Sequence, residues 1–148
     1  MILIAHDIRS LHNVGAIFRS ADAFGVEKLY LTGYTETPPR KEIAKVALGS
    51  QDRVAWEKRE DAVSLVNELK GKGIKVYALD NRPGAVDIRT VDGEDAALVL
   101  GNEVEGVPEP LLNACDGTVE ILMPGRKKSL NVAVATGIAL FAFSAKKG

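Results

Sequence analysis

The chain has 148 residues, 46% of them hydrophobic, with 19 Lys and Arg against 20 Asp and Glu; that is enough to bury one globular core, and no repeat, low-complexity tract or interdomain linker divides it. A net charge of -1 and a pI near 6.1 exclude a molecule that draws nucleic acid through its overall field, so any such partner must be gripped by a local basic patch. A single cysteine, Cys115, excludes an intrachain disulfide and a thiolate-rich zinc site and suits a reducing compartment; its simplest role is a small buried apolar side chain in a helix.

In chain order, Met1-Ile-Leu-Ile-Ala lacks the basic flank and cleavage pattern of a signal peptide and reads as a strand, Ile2 to Ala5. Helical periodicity runs from Val14 to Phe24, followed by a strand at Lys28 to Thr32 and a stiff exposed loop at "TETPPR", residues 35 to 40. A second helix spans Asp61 to Lys72, with Ala62, Leu65, Val66 and Leu69 in one apolar stripe ended by Gly71 and Gly73. Strands follow at Lys75 to Leu79 and Ala97 to Leu100. Pro108 and Pro110 open a short helix ending near Asp116, and a last strand covers Val119 to Leu122. The final helix starts at Ser129-Leu130-Asn131 and runs through the apolar stretch Val132 to Ala145, which falls short of the ~20 residues of a bilayer span. The expectation is a cytoplasmic, non-membrane protein. Short β-branched runs alternating with helices predict an α/β fold, a mostly parallel sheet flanked by helices and forming one domain over residues 1–148.

A parallel α/β sheet binds ligands at the carboxyl ends of its strands, so the loops there are the candidate site. In the first, "HDIRSLHNVGAIFRSADAFG", Asn13 is a candidate helix cap and Gly15 allows a close approach; Arg19, six positions on, lies off the helix face of Asn13. In the second, "LVLGNEVEGVPEP", Gly101 and Gly106 bracket Asn102 and Glu103 and leave main-chain groups open to a ligand. Val107-Pro108 stands where a P-loop requires Lys-Ser/Thr, and no G-x-G-x-x-G occurs, so common ATP and dinucleotide sites are excluded. In the third, Pro124-Gly125 turns the chain, and Arg126, Lys127 and Lys128 precede Ser129-Leu130-Asn131. Asn131 sits where helix propensity alone prefers another residue. The helix beyond it is apolar almost all round, with Val132, Val134, Ile138, Leu140, Phe141 and Phe143 on several faces. That calls for cover by the core and, most simply, a second subunit.

Asn13-x-Gly15 with Arg19, then Gly101-Asn102-Glu103-x-x-Gly106, then Pro124 with Ser129-Leu130-Asn131-Val132, resemble the three ordered motifs of the SpoU/TrmH family of SPOUT RNA methyltransferases. The resemblance covers nearly the whole chain. It implies an S-adenosylmethionine-dependent RNA 2′-O-ribose methyltransferase whose C-terminal part is tied in a trefoil knot, and which pairs as a homodimer with both subunits shaping the site. The cofactor would lie against Leu79, Gly101, Asn102, Glu103, Ile121, Met123, Ser129, Leu130 and Asn131, held largely by main-chain groups and without a metal. Arg19, Asn13, Glu103, Ser129 and Asn131 take the positions around the reacting groups, with no histidine as base: His6 and His12 stand outside the motif cores. An arginine, never neutral near pH 7, suits phosphate binding and stabilisation of a developing alkoxide better than proton abstraction. Glu103 would orient Arg19 or accept bonds from loop amides. Arg9, Arg126, Lys127 and Lys128, with Arg40 and Lys41, would form a basic lip for RNA, a tRNA rather than an rRNA. A non-catalytic RNA-binding relative, or a methyltransferase acting on a base nitrogen, is the alternative.

Overall fold

The computed structural model describes residues 1–144; Ala145, the end of the apolar run, lies outside the described residues. Seven strands form one sheet in the order β3-β2-β1-β6-β4-β7-β5, every adjacent pair parallel: β1 Ile2–His6, β2 Lys28–Thr32, β3 Trp56–Arg59, β4 Val76–Leu79, β5 Val86–Asp87, β6 Ala97–Leu100 and β7 Gly117–Glu120. The helices are α1 Leu11–Ala23, α2 Lys41–Ala47, α3 Ser50–Arg53, α4 Ala62–Gly71, α5 Glu109–Ala114 and α6 Val132–Ser144, with a 3-10 turn at Ile88–Thr90.

The central strands read as continuous apolar runs because both sheet faces are covered. Leu3 and Ala5 of β1, Leu98 and Leu100 of β6 and Leu29 and Leu31 of β2 pack with Ile17 and Phe18 of α1, Ile43 of α2, and Leu140 and Phe143 of α6. Ile4, Val99, Val76 and Ala78 pack on the other face with Leu65, Val66 and Leu69 of α4 and Leu111 of α5. The edge strand β3, Trp-Glu-Lys-Arg, is too polar to announce itself in sequence and is held by its pairing to β2. Two-residue β5 and the short α2 and α3 likewise carry too few residues for a visible period.

Several boundaries differ from the expected ones for local reasons. Ser10, not Asn13, caps α1: its side chain accepts the Asn13 N–H at 3.1 Å, so the helix starts earlier and Asn13 turns inward. Asn131 does not begin a helical turn but caps α6, its Oδ1 accepting the N–H groups of Ala133 (2.8 Å) and Val134 (3.2 Å), which is where Asn is favoured. β7 ends at Glu120, since its pairing to β4 stops at Val119 and that to β5 at Glu120; Ile121 and Leu122 leave the sheet. The loop 35–40 is not wholly exposed, because Thr35 is buried, with Oγ1 accepting from Ile8 N–H and donating to the Ala5 carbonyl, both at 3.0 Å. Cys115 is the half-buried C-cap of α5, and burial pushes its thiol up to about 11.

The chain runs β1-β2-β3 to one edge, then crosses back to build β4, β6 and β7 on the other side of β1. Register sets Ala5 beside Leu100 and Leu100 beside Leu79, so the loops after β1, β6 and β4 emerge together at the switch in direction.

Candidate functional site

After β1 the chain turns at Asp7, and the next residues meet the loop that follows β6. Glu103 is the hub: its Oε1 accepts Arg9 N–H, and its Oε2 accepts Ser10 N–H and Asn13 Nδ2, each at 2.9 Å. Partial desolvation opposes ionisation, but the bonds from Arg9, Asn13 and Ser10 together outweigh it and hold the Glu103 carboxyl below the usual carboxylate range. Buried Asn13 passes the network on, its Oδ1 accepting from Asn131 Nδ2 at 3.2 Å. Bonds that span 90 and 118 residues of sequence thus join three segments, from Glu103 to Asn13 to Asn131 at the first turn of α6.

The loop after β6 is a tight turn closed by reciprocal main-chain bonds between Asn102 and Gly106 (3.1 and 2.9 Å). Asn102 Oδ1 accepts Val104 and Glu105 N–H at 2.8 and 2.9 Å, and its Nδ2 donates to the Asp7 carbonyl at 2.8 Å. Gly101 is required sterically, since a Cβ there would lie 2.4 Å from the Gly106 carbonyl carbon and 2.5 Å from Val107 N. Asp80, at the end of β4, steadies the far side of the turn by accepting Val107 N–H at 3.1 Å. Asp80 was not legible as a site residue; its position directly after Leu79, at a strand's carboxyl end, is the signal that could have found it.

These loops enclose a cavity of about 240 Å³ walled by Leu79, Gly101, Asn102, Glu103, Ile121, Met123, Ser129 and Leu130, with Asp80, Asn81, Glu105 and Lys128 on its polar side. It opens onto a wider basin of about 620 Å³ where Arg9, Ser10, Asn13 and Asn131 meet Glu103, Ser129 and Leu130. Asn131 faces the basin rather than the inner cavity. Ile121 reaches the cavity because β7 ends before it.

Arg19 is not brought to this cleft. It is exposed on α1 beside Asp22, Leu48, Ser50 and Arg53, and Glu103 therefore orients loop amides and Asn13, not Arg19. Of the cations expected at the lip, Arg9 lines the basin, Lys128 the cavity, and Arg126, Lys127 and Lys41 are exposed. Arg40 pairs with Glu36 (3.3 Å) and Glu42 (3.2 Å) at the surface. His6 lies apart, Nδ1 against Thr32 Oγ1 at 3.0 Å and Nε2 3.3 Å from Asp7; burial lowers its pKa against the pull of Asp7, with Lys58 adding to the lowering. Among the described residues no group of three or more His, Cys, Asp or Glu could hold a metal, and no helix is long and apolar enough to cross a membrane.

The profile of the SpoU rRNA Methylase family matches residues 1–141. The chain is 36% identical over 143 residues to the tRNA (guanosine(18)-2′-O)-methyltransferase of Aquifex aeolicus, covering 95% of this chain and 67% of that protein. It is 33% identical over 145 residues to the 23S rRNA (guanosine-2′-O-)-methyltransferase of Xanthomonas axonopodis pv. citri, covering 95% of this chain but spanning only 57% of that relative. An AdoMet-bound rRNA methyltransferase from Sinorhizobium meliloti superposes with a TM-score of 0.91 at 31% identity, over 98% of this chain and 56% of that one. A structure described as "Structural insights into the 2-OH methylation of C/U34 on tRNA" superposes with a TM-score of 0.88 at 25% identity, over 99% of this chain and 95% of that one.

Proposed function

Because this chain belongs to the SpoU rRNA methylase family, we propose that it is an S-adenosylmethionine-dependent RNA 2′-O-ribose methyltransferase, a single catalytic domain acting as a homodimer on a tRNA. The observation that carries the proposal is the bonded line Glu103–Asn13–Asn131 at the rim of a cavity walled by the loops that follow β4, β6 and β7.

The cavity suits the cofactor chemically. Leu79, Ile121, Met123 and Leu130 offer apolar walls for a planar base, and Asp80, Glu103 and Glu105 set three carboxylates against one cation, Lys128, which favours a positively charged ligand. When bound, S-adenosylmethionine supplies an electrophilic methyl group. The protein's part is alignment: Asn13 and Asn131, neutral and fixed by Glu103 and by the start of α6, orient a ribose in the basin, and Ser129 lies between basin and cavity.

The remaining element, Arg19, comes from the partner subunit. One flank of α6 exposes Val134, Ile138 and Phe141, continued by Leu130 at the cleft and by Phe24 of α1, whose ring packs edge-on against Phe141 at 6.4 Å. Such a stripe is a dimer surface. Arg19 is exposed on α1, next in sequence to Ser20, whose Oγ faces Gly137 of α6. A two-fold pairing through α6 carries the partner subunit's Arg19 toward this cleft, where a guanidinium grips phosphate and stabilises the charge that develops on the ribose oxygen. Arg9, Arg126, Lys127 and Lys128 supply further phosphate contacts.

We read the segment from β7 to α6 as the family's trefoil knot, and the protein as cytoplasmic, in keeping with its single unpaired cysteine. A tRNA is favoured over rRNA because the 36%-identical Aquifex aeolicus relative and the structure concerned with C/U34 both carry tRNA descriptions. Incubation with methyl-labelled S-adenosylmethionine and tRNA or rRNA from a strain lacking the gene, then nucleoside analysis, tests the reading. Labelled 2′-O-methyl nucleosides from tRNA are expected; labelled bases, or none, overturn it.

A further inference from the structure

We propose that Tyr34 is a substrate-recognition residue that stacks its exposed ring on an unpaired nucleobase of the RNA, so that the target lies in a single-stranded loop; this rests on the reading of the cleft as an RNA methyltransferase site. Three of the eight aromatic residues are exposed: Phe24, Tyr34 and Phe141. Phe24 and Phe141 cover one another on the α6 stripe. Tyr34 stands apart, 54% exposed, two residues beyond the end of β2 at the edge where the cleft opens.

The ring is tied to the cleft at both ends. Its hydroxyl accepts from Asn102 Nδ2 at 2.6 Å, and Asn102 shapes the turn that walls the cavity. Its main-chain N–H donates to Asp7 Oδ1 at 2.9 Å. The loop beneath is pinned on every side. Half-buried Lys58 donates from Nζ to the carbonyls of Gly33 (2.5 Å) and Thr35 (2.6 Å), and buried Thr35 bridges Ala5 and Ile8. Gly33 has φ of 63°, and a Cβ there would lie 1.9 Å from Asp7 Oδ1. Asp7 itself holds φ of 52°, in the left-handed region that Asp and Asn enter more readily than other non-glycine residues.

A loop held by left-handed backbone at Asp7 and Gly33 and by a half-buried ammonium group, yet presenting its central side chain 54% exposed to water, is built to display that side chain. With the hydroxyl engaged, what remains free is an aromatic face. Stacking on such a face accepts any base but requires one that is not already stacked in a duplex. Arg9, exposed on the basin with its own N–H fixed on Glu103, adds a cation for the phosphate of the same strand.

The test compares wild type with Y34A, Y34L, Y34F and Y34W, using unmodified tRNA transcript for KM and binding and S-adenosylhomocysteine calorimetry for the cofactor site. Y34A and Y34L are expected to raise KM and Kd for the tRNA by roughly fivefold to 150-fold, the range that stacking supports. S-adenosylhomocysteine affinity should hold, and Y34F and Y34W should keep RNA binding. Unchanged RNA affinity in Y34A overturns the proposal. So does a loss of cofactor affinity matching the loss of RNA affinity, because Tyr34 would then serve only Asn102. A wild-type enzyme that methylates RNA while Y34A keeps its KM removes this inference alone; a wild-type protein that neither binds nor methylates RNA removes the function with it.

Discussion

Asn131 performs two tasks with the two ends of one amide, and a single substitution separates them. Its Oδ1 caps α6 through Ala133 and Val134, while its Nδ2 donates to Asn13 Oδ1 at 3.2 Å. Asn131→Ala removes both: a lost cap costs about 1 kcal/mol and a lost neutral hydrogen bond about as much again, so the sum is about 2 kcal/mol. For a chain of this size that is roughly 4–8 °C in Tm. Asn131→Asp keeps the acceptor for the helix N–H groups, and a negative charge at a helix start adds ~0.3–1 kcal/mol, so its stability should stay near wild type. Yet it places a carboxylate where Asn13 needs a donor. Asn13 cannot resolve this by flipping, because that would turn its Oδ1, an acceptor, against the Glu103 carboxylate and lose the bond there. The aspartate variant should therefore lose kcat by about 100-fold with little loss of Tm, whereas the alanine variant loses both. Thermal unfolding and single-turnover methylation on tRNA read the two effects separately. Wild-type turnover in Asn131→Asp, or destabilisation equal to that of Asn131→Ala, would refute the two-ended role.

Gly101→Ala forces a Cβ into the Gly106–Val107 main chain and should cost about 1–3 kcal/mol; S-adenosylhomocysteine affinity should fall at least about tenfold, and calorimetry showing wild-type affinity would contradict the packing argument. Because the Glu103 pKa is depressed by its bonds to Arg9, Asn13 and Ser10, its stabilisation is complete above the ordinary glutamate value of ~4.3 and disappears as pH falls through the lower folded-state value. Urea midpoints of wild type and Glu103→Gln should thus differ at neutral pH and converge on acidification; a gap that stays constant would assign the effect to something other than ionisation. If the partner subunit supplies Arg19, mixing inactive Arg19→Ala with inactive Asn131→Asp should restore about a quarter of wild-type activity, since half of the randomly re-formed dimers then hold one intact site. No recovery after confirmed subunit exchange would overturn the assignment of Arg19 to the partner subunit's cleft.

Much of this was legible from residues alone. The apolar runs of β1, β2 and β6 announce strands covered on both faces, and the stripe Ala62, Leu65, Val66 and Leu69 announces α4, because burial imposes a period that short-range sequence must carry. Asn13, Gly101 to Glu103, and Ser129 to Asn131 could be picked out because they interrupt helical or strand patterns with polar or glycine residues at strand ends. Edge strand β3 could not, since a half-covered edge imposes no apolar period.

What sequence could not show was pairing between distant segments. Whether Asn13 caps a helix or faces inward depended on Ser10 taking the cap, and whether Glu103 met Arg19 or the amides of Arg9 and Ser10 depended on the register of β1 against β6. Ile121 became a cavity wall only because pairing with β4 and β5 ran out before it. Residue chemistry determined which groups could bind and orient a ligand; the parallel register, by delivering three strand ends to one edge, decided which of those groups meet, and that geometry rests on contacts between segments far apart in the chain that no local pattern encodes.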